Sequence, residues 1–187
     1  MNDFVTYCKT LSDLDNTAIE DLYNTTVVRE YKKGESLFSQ GQTCKYLYFI
    51  NEGLAKVFSF KNDKEFIMRF FAEGIPFSIF DSFIGQTPSR YTIMALEDTI
   101  ITRIGYQDLM DLCRKHHAIE TMFRIITSQT AMRMTKRINE ILEEDAVKRH
   151  AIFIKDNSAI IQRISLGNLA KYLGITQQSL SRIRAFK

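Results

Sequence analysis

The chain has 187 residues, 25 Lys/Arg against 22 Asp/Glu, a net charge of +3 and 45% hydrophobic content. That length suits one medium domain plus a small one, and a count of only two prolines argues for folded protein. No apolar run is long enough to span a bilayer and no secretory leader is expected. Cys8, Cys44 and Cys113 are too scattered for a disulfide framework or a CxxC metal site, so a cytoplasmic protein with reduced thiols is the expectation.

In chain order, residues 3–24 read as amphipathic helix. Phe4, Tyr7, Cys8 and Leu11 are followed by Leu14, Ile19 and Leu22, with Ser12 or Asp13 as a cap between two helices. From Val27 to about Ile104 the character changes to short runs rich in Val, Ile, Phe, Tyr and Thr, broken by Gly34, Gly41, Gly53, Gly74 and Gly85. The run from Leu47 to Phe60 predicts two strands around a turn at Glu52-Gly53. Lys64 to Phe71 and Tyr91 to Leu96 continue the pattern. Many short, evenly spaced strands with glycine turns point to an antiparallel roll or barrel.

From Tyr106 the period becomes helical. A short helix is expected to about Cys113, then a long one from about Ala118 to Glu143, roughly 36 Å over its length. Phe123, Ile126, Thr130, Met134, Ile138 and Ile141 repeat along it at three- to four-residue spacing. A stripe that long needs cover, and a second copy of the helix is the economical cover, although Thr130, Arg133 and Arg137 make the seam a loose one. Ala146 to Lys155 predicts a further helix.

The last stretch, Ser165 to Arg184, reads as two short helices around a tight turn. Ser165 caps the first, Gly174 ends it, and Thr176 caps the second. Leu169, Leu173, Ile175, Leu180 and Ile183 fall where crossing helices need apolar contacts. Gln178, Ser181, Arg182 and Ala185 then share the free face of the second helix. Charge agrees with a phosphate-facing end: residues 145–187 hold 8 Lys/Arg against 2 Asp/Glu, whereas residues 1–144 hold 17 against 20. Such a hairpin is a helix-turn-helix able to reach base edges.

This order of parts resembles, over nearly the full length, the cyclic-AMP receptor protein and fumarate–nitrate regulator (Crp/Fnr) family of bacterial transcription factors. Three stretches carry the resemblance: Tyr31 to Gly41 with Leu47 to Gly53, Pro88 to Asp98, and Tyr172 to Arg184. It implies an α+β chain with a cyclic-nucleotide-binding-like β-roll over residues 1–117, a dimerisation helix over 118–143 and a helix-turn-helix over 144–187. Gln177, Gln178, Ser181 and Arg182 are then the expected base readers. Arg163, Ser165, Lys171, Thr176, Ser179, Arg184 and Lys187 are the expected phosphate contacts. Double-stranded DNA, a second copy of the chain and RNA polymerase are the implied partners. After the second helix no β-wing of the kind that some members carry is expected within the sequence to Lys187.

The resemblance departs at the effector pocket. Cyclic-AMP readers of the family use a Gly-Glu pair and an Arg-Ser pair. A gapless match anchored on Phe83 and Ala95 puts Ser78-Ile79 and Ser89 in those places, so neither charged group is present. Control by cyclic AMP is therefore not expected, and the effector is left unnamed, with Arg69 or Arg90 as anion contacts if another ligand is used. Cys8, Cys44 and Cys113 do not form the cluster of iron–sulfur members, and His116-His117 reads as a helix-junction pair. No metal or cofactor is expected. An enzyme finds no support either, since no nucleophile elbow, P-loop or paired carboxylates appear. The alternative is a sensor module whose helical tail contacts protein instead of DNA.

Overall fold

The computed structural model of the protein describes residues 3–185. Two short helices open the chain, α1 (Asp3–Lys9) and α2 (Asn16–Thr25). The cap between them is Asp15, whose carboxylate accepts from the Ala18 amide at 2.7 Å; this corrects the expectation of Ser12 or Asp13.

Eight strands follow: β1 (Val27–Tyr31), β2 (Ser36–Phe38), β3 (Tyr46–Glu52), β4 (Ala55–Lys61), β5 (Lys64–Phe71), β6 (Pro76–Phe77), β7 (Thr92–Ala95) and β8 (Thr99–Gly105). They form two four-stranded antiparallel sheets, ordered β1-β8-β3-β6 and β2-β7-β4-β5. A one-and-a-half-turn helix, α3 (Phe80–Gly85), interrupts the roll and had no periodic signal in the sequence. The β3–β4 turn needs glycine: Gly53 has φ +109°, and a Cβ there would lie 2.7 Å from the Thr99 Cα.

The main core lies between the sheets, with Phe49, Ile50, Ile93 and Ile101 among its residues. It is closed by Phe4 and Val5 of α1 and by Ile119, Met122 and Ile126. Those last three belong to the long helix α5 (His117–Glu143), which follows α4 (Tyr106–Lys115). Then come α6 (Ala146–Asp156), a 3-10 turn (Ile161–Arg163), α7 (Leu166–Leu173) and α8 (Gln177–Ala185).

A second core joins the two ends of the molecule. Leu54 of the β3–β4 connection and Phe58, Ile67 and Phe70 of the β4–β5 hairpin pack with Phe153, Ile160, Ile164, Leu169, Ala170, Leu173 and Leu180. A bulge makes this possible. Val57 pairs with Arg69 and Phe58 with Ile67, leaving Met68 as an extra residue. The insertion puts Ile67 and Phe70 on one face although three positions separate them, and sends Arg69 and Phe71 to the other.

Candidate nucleic-acid interface and effector cleft

The last four elements build a helix-turn-helix from local rules. The Ser165 hydroxyl accepts from the Asn168 amide at 3.2 Å and starts α7. Gly174, at φ +71°, ends it in the left-handed conformation, and the Ile175 amide returns to the Ala170 carbonyl at 3.1 Å. Thr176 starts α8 by accepting from the Ser179 amide at 3.1 Å, with the Ser179 hydroxyl 3.0 Å away. Leu180 is fully buried beneath α8 and fixes its roll against α7, so Leu180→Ala should cost about 2–5 kcal/mol.

With Leu180 inward, Gln177, Gln178, Ser181 and Arg182 are all exposed on one side of α8. Gln177 is also seated: a Cβ added at Gly167 would collide with its amide, so the missing side chain leaves it room over α7. Arg182 and Arg184 have no ion pair among the described residues and stay available to an external anion.

The expected phosphate contacts divide. Ser165 and Thr176 are exposed caps. Accepting from an amide leaves a hydroxyl its own proton to donate, although Thr176 and Ser179 share one such proton between them. Arg163 and Lys171 are placed otherwise, which corrects the expectation of free phosphate contacts. The Arg163 guanidinium reaches both oxygens of Glu73, at 3.0 and 2.8 Å, and also pairs with Glu97. Lys171 reaches Glu65 at 2.6 Å, and Glu65 also pairs with the buried Lys56. Both cations therefore tie the helix-turn-helix to the roll. Lys187 lies outside the described residues.

The stripe on α5 also divides. Ile126 is buried, and Phe123 packs edge-on to Phe83 at 6.4 Å, so both serve the chain's own core, contrary to the expected seam. Thr130 is half-buried and donates to the Ile126 carbonyl at 2.9 Å. Met134, Ile138 and Ile141 are exposed, and Ala131 and Leu142 extend their stripe, with Leu142 76% accessible.

Met134, Ile138 and Ile141 of that stripe also form one wall of a cleft of about 350 Å³ between α5 and the roll, lined further by Arg69, Phe71, Ser78, Ile79, Arg133 and Arg137. Arg69, Ser78 and Ile79 are thus brought to one place. Ser89 and Arg90 are not. Ser89 is buried in a turn, accepting from the Tyr91 amide at 3.0 Å, and Arg90 lies in solvent over the Tyr91 ring. The Ser78 hydroxyl donates to the Tyr46 carbonyl at 2.8 Å and is committed to the fold. Arg133 and Arg137, noted in the sequence only as breaks in the seam, are cleft residues.

The other candidate ligands are structural in placement. His116 Nε2 stands 2.6 Å from the Asp21 carboxylate, which Lys115 shares at 2.6 Å. Cys8 and Cys44 are buried thiols, and burial pushes the Cys113 thiol up to about 11. No group of three or more His, Cys, Asp or Glu able to hold a metal occurs among the described residues. None of the described helices is long and apolar enough to cross a membrane.

Comparison with known proteins places this geometry. The family model for the cyclic nucleotide-binding domain matches residues 28–116, which span the roll and α4. No curated protein matches in sequence. Among solved structures, FixK2 from Bradyrhizobium japonicum is 18% identical, with 86% of this chain and 83% of that one covered at a TM-score of 0.76. The c-di-GMP responsive global regulator CLP of Xanthomonas campestris is 18% identical, with 92% and 91% covered at 0.73. A CooA variant from Carboxydothermus hydrogenoformans is 17% identical, with 100% and 84% covered at 0.71. The chain has the Crp/Fnr fold. Within that Crp/Fnr fold, Ser78 and Ile79 line the roll–helix cleft, at the place where the resemblance puts the family's Gly-Glu pair.

Proposed function

We propose that the protein is a sequence-specific DNA-binding transcription regulator that works in the cytoplasm as a homodimer on a two-fold symmetric site. The observation that carries this reading is the outer face of α8. It exposes Gln177, Gln178, Ser181 and Arg182, and no Asp or Glu occurs from Asn157 onward. Arg182 suits a bidentate contact to guanine O6 and N7, and Gln178 suits adenine N6 and N7. Ser165, Thr176, Ser179, Arg184 and Lys187 are the proposed phosphate contacts.

The exposed Met134, Ile138 and Leu142 are the proposed seat of the second copy, which would present the two α8 helices about 34 Å apart. Contact with RNA polymerase follows from the regulator reading. Cyclic AMP is not the proposed effector, because Ile79 supplies no carboxylate for a ribose hydroxyl and Ser89 no guanidinium for a cyclic phosphate. A salt titration of binding to random duplex tests the DNA half. The expected result is a log–log slope of several negative units; binding that is absent or insensitive to salt would favour a protein-contacting tail.

A further inference from the structure

The roll–helix cleft holds more positive charge than its own carboxylates answer. Arg69 enters from β5, and Arg133 and Arg137 from successive turns of α5. Arg137 is partly served: it gives one nitrogen to Glu140 at 3.3 Å and another to the Tyr172 carbonyl at 2.5 Å, while its buried Nε has no acceptor. Arg133 has an interaction with the Tyr7 phenol but no ion pair among the described residues. Arg69 likewise has none. Burial first, and Arg133 next, pull its guanidinium below the ordinary range, and the opposing pull of Glu140, which is already paired with Arg137, does not offset them. Among the described residues Asp81 is the one carboxylate on the lining.

The remaining walls are mostly apolar or aromatic, notably Val57, Phe71, Phe77, Phe80 and Ile141; the Ser78, Thr130 and Tyr91 hydroxyls also line the cleft, but they already pair with the Tyr46 carbonyl, the Ile126 carbonyl and Arg90. A sugar would leave its hydroxyls unpaired against them, at a cost that outweighs the fit of its phosphate. A cleft of about 350 Å³ is at the small end of ligand-sized sites. We propose that this cleft binds a small apolar organic acid, its carboxylate set between Arg69 and Arg133 and its chain or ring laid on the phenylalanines. That such an acid acts as an effector rests on the regulator reading; that it binds does not.

Calorimetry on the full chain with decanoate and 6-phenylhexanoate tests this, with decan-1-ol and cyclic AMP as controls. One acid per chain should bind, the alcohol should bind at least tenfold more weakly, and cyclic AMP should not compete. Arg69→Gln and Arg133→Gln should each weaken the acid tenfold or more. Arg133 lies on a helix face, so its replacement guards against a misfolded β5 variant. Equal binding of acid and alcohol, or unchanged affinity in both variants, would overturn the proposal. So would silence with both acids at millimolar concentration in a chain that sediments as a dimer, since the groove would then serve only as a seat for the second copy. DNA binding measured separately on the same protein shows whether the regulator reading has failed as well.

Discussion

Arg163 and Glu73, ninety positions apart, meet side-on through two hydrogen bonds of 3.0 and 2.8 Å. Glu73 in turn accepts from the Gly53 amide at 2.8 Å, so one carboxylate ties the β3–β4 turn to the entrance of the helix-turn-helix. Arg163→Ala should lower stability to urea by about 1 kcal/mol, because the pair is bidentate but partly exposed. It should speed amide exchange in α7 and leave the salt dependence of DNA binding unchanged. A salt slope reduced by about one unit would return Arg163 to the phosphate contacts.

The same ties predict an acid limit. Burial alone would raise the pKa of Glu65 and Glu73. Lys171 with Lys56, and Arg163 with the Gly53 amide, outweigh it and leave both below the ordinary 4.5. Carboxylates depressed by folding contribute stability that is complete above the unfolded value and drains as pH falls below it. The urea midpoint should therefore be flat from pH 7 to about 5 on this account and fall beneath 4.5, less steeply in Glu73→Gln. An identical acid slope in that variant would show that the Arg163–Glu73 pair contributes nothing.

Ile138 is 54% accessible on α5, between Met134 and Leu142. Ile138→Glu leaves the chain's own core intact and should weaken self-association at least tenfold in sedimentation equilibrium, with a matching loss of cooperative DNA binding. A dimer of unchanged affinity would place the interface elsewhere.

How legible these features were in the sequence depended on how local their causes are. Ser165, Gly174 and Thr176 act within four residues of themselves, and the structure uses each as the sequence implies. The β3–β4 turn at Gly53 was equally local. The face of Arg69 was not. Strand alternation would have put Arg69 beside Ile67, and only the unpaired Met68 sends it into the cleft. Arg163 and Lys171 read as free cations because nothing near them in sequence is acidic; their partners lie 90 and 106 positions away. The α5 stripe continues evenly from Phe123 to Ile141, so its period could not show where cover by the chain's own roll ends.

Arg137 stacks on the Tyr172 ring at 3.7 Å, beside the aromatic contacts of Tyr172 with Phe70 and Phe153. Arg137→Ala removes a cleft arginine that both donates to the Tyr172 carbonyl of α7 and stacks on its ring. It should lower stability by about 1–3 kcal/mol and raise amide exchange in α7 more than in β5. Equal change in both elements would mean a general loss of packing, without a specific link from the cleft to α7.

The most direct test of the central claim is selection of bound sequences from a random duplex pool by the purified chain, repeated with Arg182→Ala. A homodimeric base reader should enrich a two-fold symmetric motif with half-sites about one helical turn apart. Arg182→Ala should lose about 1–3 kcal/mol and relax one guanine position in each half-site. Enrichment of no motif, or a loss in Arg182→Ala that is equal on every sequence, would contradict that claim.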